Sequence, residues 1–414
     1  MRALDVRLRD RHVGRLVELE RGGDYSFEYD PSIAAGSPEA PLLSVSLPCR
    51  ERPFESAEAR PFFEGLLPEG EIRERIARDL KVSASNSFEL LARLGRDCAG
   101  AVVMLPEGEH PDADEPIEWL AESDLAELIE RLPTNPLGVA RRNKVRLSLA
   151  GLQRKAVLIR DADGKFGKPT ATHPSTHIVK PQYDDSDYED LVYNERFCMA
   201  VARVAGLDAA RASIVEIATR PCLLVERFDR DEGEDGIARV HQEDCCQALG
   251  VLPGLKYEGE GGPGLGAIAG LLRAASARGG ADVLALVRAT ILNYVLGNSD
   301  AHAKNFGLLH GDELRLAPLY DIVSTAVYPE IDASLAMAIG DKLDPDTLDG
   351  GDLYELAEDC GLSYVELSRE WTRFAAVTLD AAERVAATAQ AEGWRRPVVD
   401  RILAVARERS ARIG

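Results

Sequence analysis

Residues 106–116, Pro-Glu-Gly-Glu-His-Pro-Asp-Ala-Asp-Glu-Pro, place three prolines, one glycine and five acids in eleven positions. Proline fixes φ and donates no backbone hydrogen bond, so neither a helix nor a sheet ladder runs easily through such a segment. A chain of 414 residues broken there is expected to build separate cores on either side, and its 45% hydrophobic content suffices for both.

The apolar pattern differs across the break. Leu4-Asp5-Val6-Arg7-Leu8, Gly14-Arg15-Leu16-Val17-Glu18-Leu19, Tyr25-Ser26-Phe27-Glu28-Tyr29 and Leu43-Ser44-Val45-Ser46-Leu47 alternate as half-buried strands do. From Pro61 the period becomes helical, with Phe62, Phe63, Leu66 and Leu67 and then Ile72, Ile76 and Leu80 sharing a face. Residues 1–105 therefore read as a small α+β module. Residues 106–144 read as linker and helix, the helix capped by Ser123 or Asp124 and ending before Pro133. Residues 145–228 return to strand-like runs at 156–159, 177–180 and 223–226, and residues 229–414 read as mainly helical.

Asp and Glu number 70 against 49 Lys and Arg, a formal charge of −21 spread along the chain. This balance speaks against coating nucleic acid or an anionic membrane by bulk charge, because counterion release needs clustered cations, and leaves room for one local basic patch. The seven cysteines are odd in number and never form C-x-x-C, so a reducing cytoplasm is expected rather than a disulfide framework or thiolate zinc site. Residues 1–7 lack the apolar core of a signal peptide, and no run approaches the roughly 18 apolar residues of a membrane span.

The chemistry is concentrated in Gly297-Asn298-Ser299-Asp300-Ala301-His302-Ala303-Lys304-Asn305, after the apolar helical run 283–296. Asp321 follows Asn305 by sixteen residues, across a predicted hairpin of Phe306-Gly307-Leu308-Leu309 and Leu314-Arg315-Leu316 that carries it back beside Asn305. This is the arithmetic of phosphoryl transfer. One carboxylate orients and deprotonates the attacking hydroxyl, while an amide and a second carboxylate offer Mg²⁺ the hard oxygens it prefers. ATP also needs a cation on its phosphates, and Lys180 ends a predicted strand just before Pro181. Glu195, in a predicted helix over 191–205, is placed to pair with that lysine. The run Leu223-Leu224-Val225-Glu226-Arg227-Phe228 then passes from apolar strand to charged connector, where an adenine edge meets backbone. Asp300 alone would read as a turn residue after a helix; the order of lysine, helix acid, connector, base and second acid favours the chemical reading.

Two further patterns read as bland. Gly259-Glu260-Gly261-Gly262-Pro263-Gly264 fits G-x-G-x-x-G, but no apolar strand precedes it, no helix cap is evident after it, and Pro263 removes a donor, so a flexible loop is expected. His173 and His177 are four apart, yet Pro174 and the β-branched Thr176 and Ile178 argue against the helix a zinc pair would need. His302 is expected to brace the Asp300 loop rather than to act as a base.

Together these segments resemble the HipA family, the serine/threonine-kinase toxins of type II toxin-antitoxin pairs. The likeness is carried by Phe62-Phe63-Glu64-Gly65-Leu66-Leu67-Pro68 with Glu71-Ile72-Arg73, then Ser148-Leu149-Ala150-Gly151-Leu152-Gln153-Arg154-Lys155 and Thr176-His177-Ile178-Val179-Lys180-Pro181. Glu226-Arg227-Phe228-Asp229-Arg230, His241-Gln242-Glu243-Asp244 with Gln247-Ala248-Leu249-Gly250, Asn298 to Asn305, and Tyr320-Asp321 complete it. The resemblance implies an α+β, two-lobed protein-kinase-like fold behind a small N-terminal subdomain. It implies that Ser148, Ala150 and Gly151 belong to a phosphate-covering loop, with Ser148 the autophosphorylation site. Lys180, and secondarily Lys155, would contact ATP phosphates; Glu226 and Phe228 would present hinge backbone to adenine; Asp300 would be the base; Asn305 and Asp321 would bind Mg²⁺. The implied partners are a HipB-like helix-turn-helix antitoxin and a protein substrate in translation, an aminoacyl-tRNA synthetase being the known class. Operator DNA is reached only through the antitoxin. Two alternatives stand beside this reading: a small-molecule phosphotransferase of the aminoglycoside-kinase type, and a non-catalytic co-repressor that binds the antitoxin.

Overall fold

The computed structural model describes residues 2–412 with the exception of residues 10, 20–22, 36–42, 112–114, 133–153, 184–187 and 234–235. The alternating residues near the start form an antiparallel four-stranded sheet in the order Tyr25–Tyr29, Arg11–Glu18, Ala3–Leu8, Val102–Pro106. Leu4, Val6 and Leu8 turn inward at the period of the pleat. Helices Ser56–Gly65, Gly70–Leu80 and Ser87–Leu94 close over them, and Phe27, Phe54, Phe62 and Phe63 are completely enclosed at the centre.

Leu43 to Leu47, expected as a strand, makes only an isolated bridge between Ser44 and Leu47. Its polar groups go to a distant carboxylate instead: Ser44 Oγ donates to Glu243 Oε2 at 2.5 Å, and the Val45 N–H to Oε1 at 3.0 Å. Leu43 and Leu47 are still fully buried, so the alternation recorded burial around a tight turn rather than a ladder.

The second sheet has six antiparallel strands in the order Glu118–Trp119, Phe166–Lys168, Ala156–Arg160, His177–Pro181, Arg220–Glu226, Ala212–Ile217. Its first strand was not expected from sequence. Val179 and Leu224 turn to one face with Leu125 and Ile129 of helix Glu122–Arg131; Leu223 and Val225 turn to the other with Val192 and Phe197 of helix Leu191–Val204. Helix Glu122–Arg131 is preceded by Ala121 rather than capped by Ser123 or Asp124. Glu122 and Asp124 lie within its first turn, where carboxylates favour the positive end of the helix dipole.

Helices Leu265–Ala275, Gly279–Leu296, Gly350–Asp359, Tyr364–Ala391 and Pro397–Ser410 share the largest core. Among the described residues, Gly279–Leu296 is the helix long and apolar enough to cross a membrane, and 67% of it is buried here, with Tyr294 against Trp371. The predicted hairpin is present as Gly307–His310 and Leu314–Leu316, joined by a third strand, His241–Asp244.

A buried ion network fastens the first module to the connector after Arg220–Glu226. Asp97 meets Arg230 at 3.1 Å and Arg239 at 3.2 Å and accepts from Ser175 Oγ at 2.6 Å. Arg227 pairs with Asp229 at 2.7 Å, and Asp229 also accepts the Gly100 N–H at 2.7 Å. Burial would raise the Asp229 carboxyl, but Arg227 and Arg230 reverse this and hold it well below the ordinary range.

Candidate active site

Lys180 stands on strand His177–Pro181 with its side chain toward helix Leu191–Val204, and it is almost fully buried. Its Nζ lies 2.7 Å from Glu195 Oε1 and 2.8 Å from Asp321 Oδ1. Burial opposes the lysine charge; Asp321 and Glu195 outweigh it and raise the ammonium above its ordinary range. Lys180 in turn draws the Asp321 carboxyl down to about 2. The predicted lysine, helix acid and second acid are thus brought together.

Asp321 adopts φ +57, the left-handed region that costs a non-glycine residue energy and recurs at functional sites. The neighbouring Tyr320 holds it there: its hydroxyl donates to the Lys304 carbonyl at 2.5 Å, and its ring stacks on Phe228 with centroids 5.7 Å apart. Asp321 is tied in this way both to the connector and to the turn that carries Asn305.

Helix Gly279–Leu296 ends at Gly297 in the left-handed conformation, and the chain turns sharply into the Asp300 loop. The Asp300 N–H donates to Asn298 Oδ1 at 3.1 Å, and Asp300 Oδ1 accepts from the Tyr257 hydroxyl at 2.9 Å. Burial raises the Asp300 carboxyl above the ordinary range. Asn305 ends the short turn Ala303–Asn305, with its Oδ1 accepting the His302 N–H at 3.1 Å. That bond ties the Asn305 side chain to the His302 backbone, while burial pushes the His302 imidazole down to about 4.

Between the Asp300 loop and the first module lies a set of ion pairs that sequence reading missed. Glu69, immediately before helix Gly70–Leu80, meets Lys304 at 2.9 Å and Lys256 at 3.1 Å, and Lys304 also lies 3.5 Å from Asp244. Lys304 therefore serves the loop's foundation. Glu69 sits between two segments of the motif and Lys304 within another, so their positions were visible; the pairing, across more than two hundred residues, was not.

At the connector, the Glu226 N–H goes to the Arg211 carbonyl at 2.8 Å and the Arg227 N–H to the Thr176 carbonyl at 2.9 Å. Lys155, just before strand Ala156–Arg160, is buried, and its charge is opposed by that burial and then by Lys180, which together lower its pKa to about 8. Ser148, Ala150 and Gly151 lie outside the described residues. The donor set fits the cofactor pair: two lysines for phosphate oxygens, and an amide oxygen with a carboxylate whose second oxygen is left by Lys180, hard ligands of the kind Mg²⁺ takes alongside water and phosphate.

A sheet lobe and a helical lobe, joined by a connector beside an ion-paired lysine and two further acids, define an α+β fold of the protein-kinase-like class. The HipA N-terminal domain model matches residues 4–105, and the HipA-like C-terminal domain model matches residues 147–392. The chain belongs to the HipA family. It is 41% identical to the protein Y4mE of Sinorhizobium fredii over 93% of this chain and 92% of that one. It is 34% identical to the serine/threonine-protein kinase toxin HipA of Shewanella oneidensis over 90% of this chain and 86% of that one. HipA in the Shewanella oneidensis complex with HipB and operator DNA superposes with a TM-score of 0.84 at 28% identity, covering 99% of this chain and 97% of the other.

Proposed function

We propose that this chain is a cytoplasmic ATP- and Mg²⁺-dependent serine/threonine protein kinase that acts as the toxin of a toxin-antitoxin pair. The observation that carries the proposal is Lys180 held between Glu195 and Asp321, in a site that also contains Asp300. Lys180 and Lys155 bind the phosphates of ATP, and the backbone of Glu226 and Phe228 meets adenine. Ser148, Ala150 and Gly151 cover the phosphates. Asn305 and Asp321 hold Mg²⁺, which when bound neutralises phosphate charge. The acceptor hydroxyl oxygen bonds to the γ-phosphorus as the bond from that phosphorus to the β–γ bridging oxygen breaks; ADP leaves, and the hydroxyl proton passes to Asp300.

The Shewanella oneidensis relative is seen with HipB and operator DNA, which supports an antitoxin of that type as partner here. With a charge of −21, this chain reaches DNA through a basic antitoxin rather than directly. The proposed substrate is a component of translation such as an aminoacyl-tRNA synthetase, with Ser148 modified in the chain itself.

Purified chain incubated with γ-labelled ATP and a cell lysate tests the reading. Label is expected on Ser148 and on a lysate protein, and Asp300→Asn should lose both. A wild type that labels no protein, or an Asp300→Asn variant that labels as well, overturns it.

A further inference from the structure

The glycine run 259–264 is not a flexible loop. A Cβ at Gly262 would stand 2.1 Å from the Leu255 carbonyl oxygen, and one at Gly264 would stand 2.2 Å from Glu258 Oε1. These glycines let the chain close tightly on itself, and helix Leu265–Ala275 begins directly afterwards from Gly264, with no side-chain cap. The fold so made is anchored on both sides. The Glu258 N–H donates to the Ala336 carbonyl at 3.0 Å, and the Ala338 N–H donates to Glu258 Oε2 at 2.6 Å. The Ala336 N–H donates to the Ser299 carbonyl at 2.8 Å. Residues 336–338 therefore set the neighbour of Tyr257 and the neighbour of Asp300 at a fixed separation.

Tyr257 is the side chain this arrangement delivers to the base. Its hydroxyl is 2.9 Å from Asp300 Oδ1. Its ring lies edge-on to His302, with centroids 5.3 Å apart, and Lys256 Nζ lies 5.4 Å from the ring centroid while pairing with Glu69 at 3.1 Å. A carboxylate presents two oxygens and about four acceptor sites. With one oxygen bonded to a phenol whose segment is anchored to residues 336–338, the other has a defined direction.

We propose that Tyr257 is a positioning residue for phosphoryl transfer: it holds Oδ1 of Asp300 so that Oδ2 faces the acceptor hydroxyl. Tyr257 is a donor throughout and neither takes nor gives up a proton; the acceptor's proton goes to Oδ2. The proposal rests on the kinase reading of the site and adds to it a residue outside the lysine, amide and carboxylate set. It also gives the glycine run a purpose, since a side chain at 262 would meet the Leu255 and Tyr257 carbonyls and displace the segment that carries the tyrosine.

The test uses the full chain with ATP, Mg²⁺ and casein, and follows ADP formation, which counts transfer to any hydroxyl. Tyr257→Phe keeps the ring against His302 and removes only the donor. It should lower kcat about 10- to 100-fold, the range for a hydrogen bond to a charged group, while the KM for ATP and the affinity for a fluorescent ATP analogue stay within about twofold. In an Asp300→Asn background the same substitution should have no further effect on kcat, because it acts through Asp300. A Tyr257→Phe variant with wild-type kcat, with an ATP KM changed as much as kcat, or with its full effect retained in the Asp300→Asn background overturns the proposal and leaves the kinase reading standing. No ADP from the wild type, or wild-type kcat in Asp300→Asn, overturns the kinase reading and this proposal with it.

Discussion

Glu69→Gln isolates the tie between the first module and the Asp300 loop. The substitution conserves shape and removes one negative charge from between two nearly buried ammonium groups at 2.9 and 3.1 Å. At an effective dielectric of about 20, each pair at that separation carries roughly 5 kcal/mol of gross attraction, most of it offset by the cost of desolvating both ions. Removing one partner exposes that cost, and breaking a buried pair in this way typically destabilises by about 3–5 kcal/mol. Asp244 at 3.5 Å still compensates part of the Lys304 charge, so the low end, about 3 kcal/mol, is expected. Urea unfolding of the purified chain reads this directly. The diagnostic step is the second substitution: Lys256→Met in the Glu69→Gln background should restore part of the loss, because Lys256, unlike Lys304 with Asp244, is the ammonium left without a carboxylate partner. A loss below about 1 kcal/mol for Glu69→Gln, the worth of an exposed pair, would refute the reasoning. So would a double variant less stable than Glu69→Gln.

Other consequences of the buried charges can be checked in the same way. Asp97→Asn removes the carboxylate shared by Arg230 and Arg239 and should cost about 3–5 kcal/mol in urea unfolding, whereas Glu383→Gln, which breaks an exposed pair with Arg407, should cost less than about 1 kcal/mol. Burial lowers the His310 imidazole from 6.5 to about 4, so the folded state binds its proton less readily than the unfolded chain does. Its contribution is present above pH 6.5 and is lost as pH falls through about 4; His310→Gln should therefore lose less stability than wild type between those values in denaturant midpoints. Equal pH dependence in the two proteins would contradict this.

The site was legible wherever its chemistry depends on spacing along the chain. Asp300 and Asn305 share one loop, and Asp321 follows a hairpin whose alternation is plain, so sequence order carries most of their geometry. Lys180 and Glu195 were legible through the same ordering. Glu69, Lys256 and Tyr257 were not, because an ion pair or a hydroxyl contact across the fold leaves no periodicity in the sequence. Two of the misread segments have physical causes of the same kind. In Leu43 to Leu47, a five-residue alternation is equally produced by a turn whose polar atoms bind Glu243. In the run 259–264, glycine signals either freedom or close approach, and only the neighbouring carbonyl and carboxylate reveal which.

The left-handed backbone at Asp321 sets backbone strain against an ion pair at a single position. Glycine would relax that backbone by about 1 kcal/mol, yet it would remove the carboxylate that pairs with buried Lys180 at 2.8 Å, a larger loss. A small residue here would therefore lower stability as well as remove the carboxylate proposed to bind Mg²⁺. An aspartate at φ +57 has its local strain offset by the buried lysine it holds.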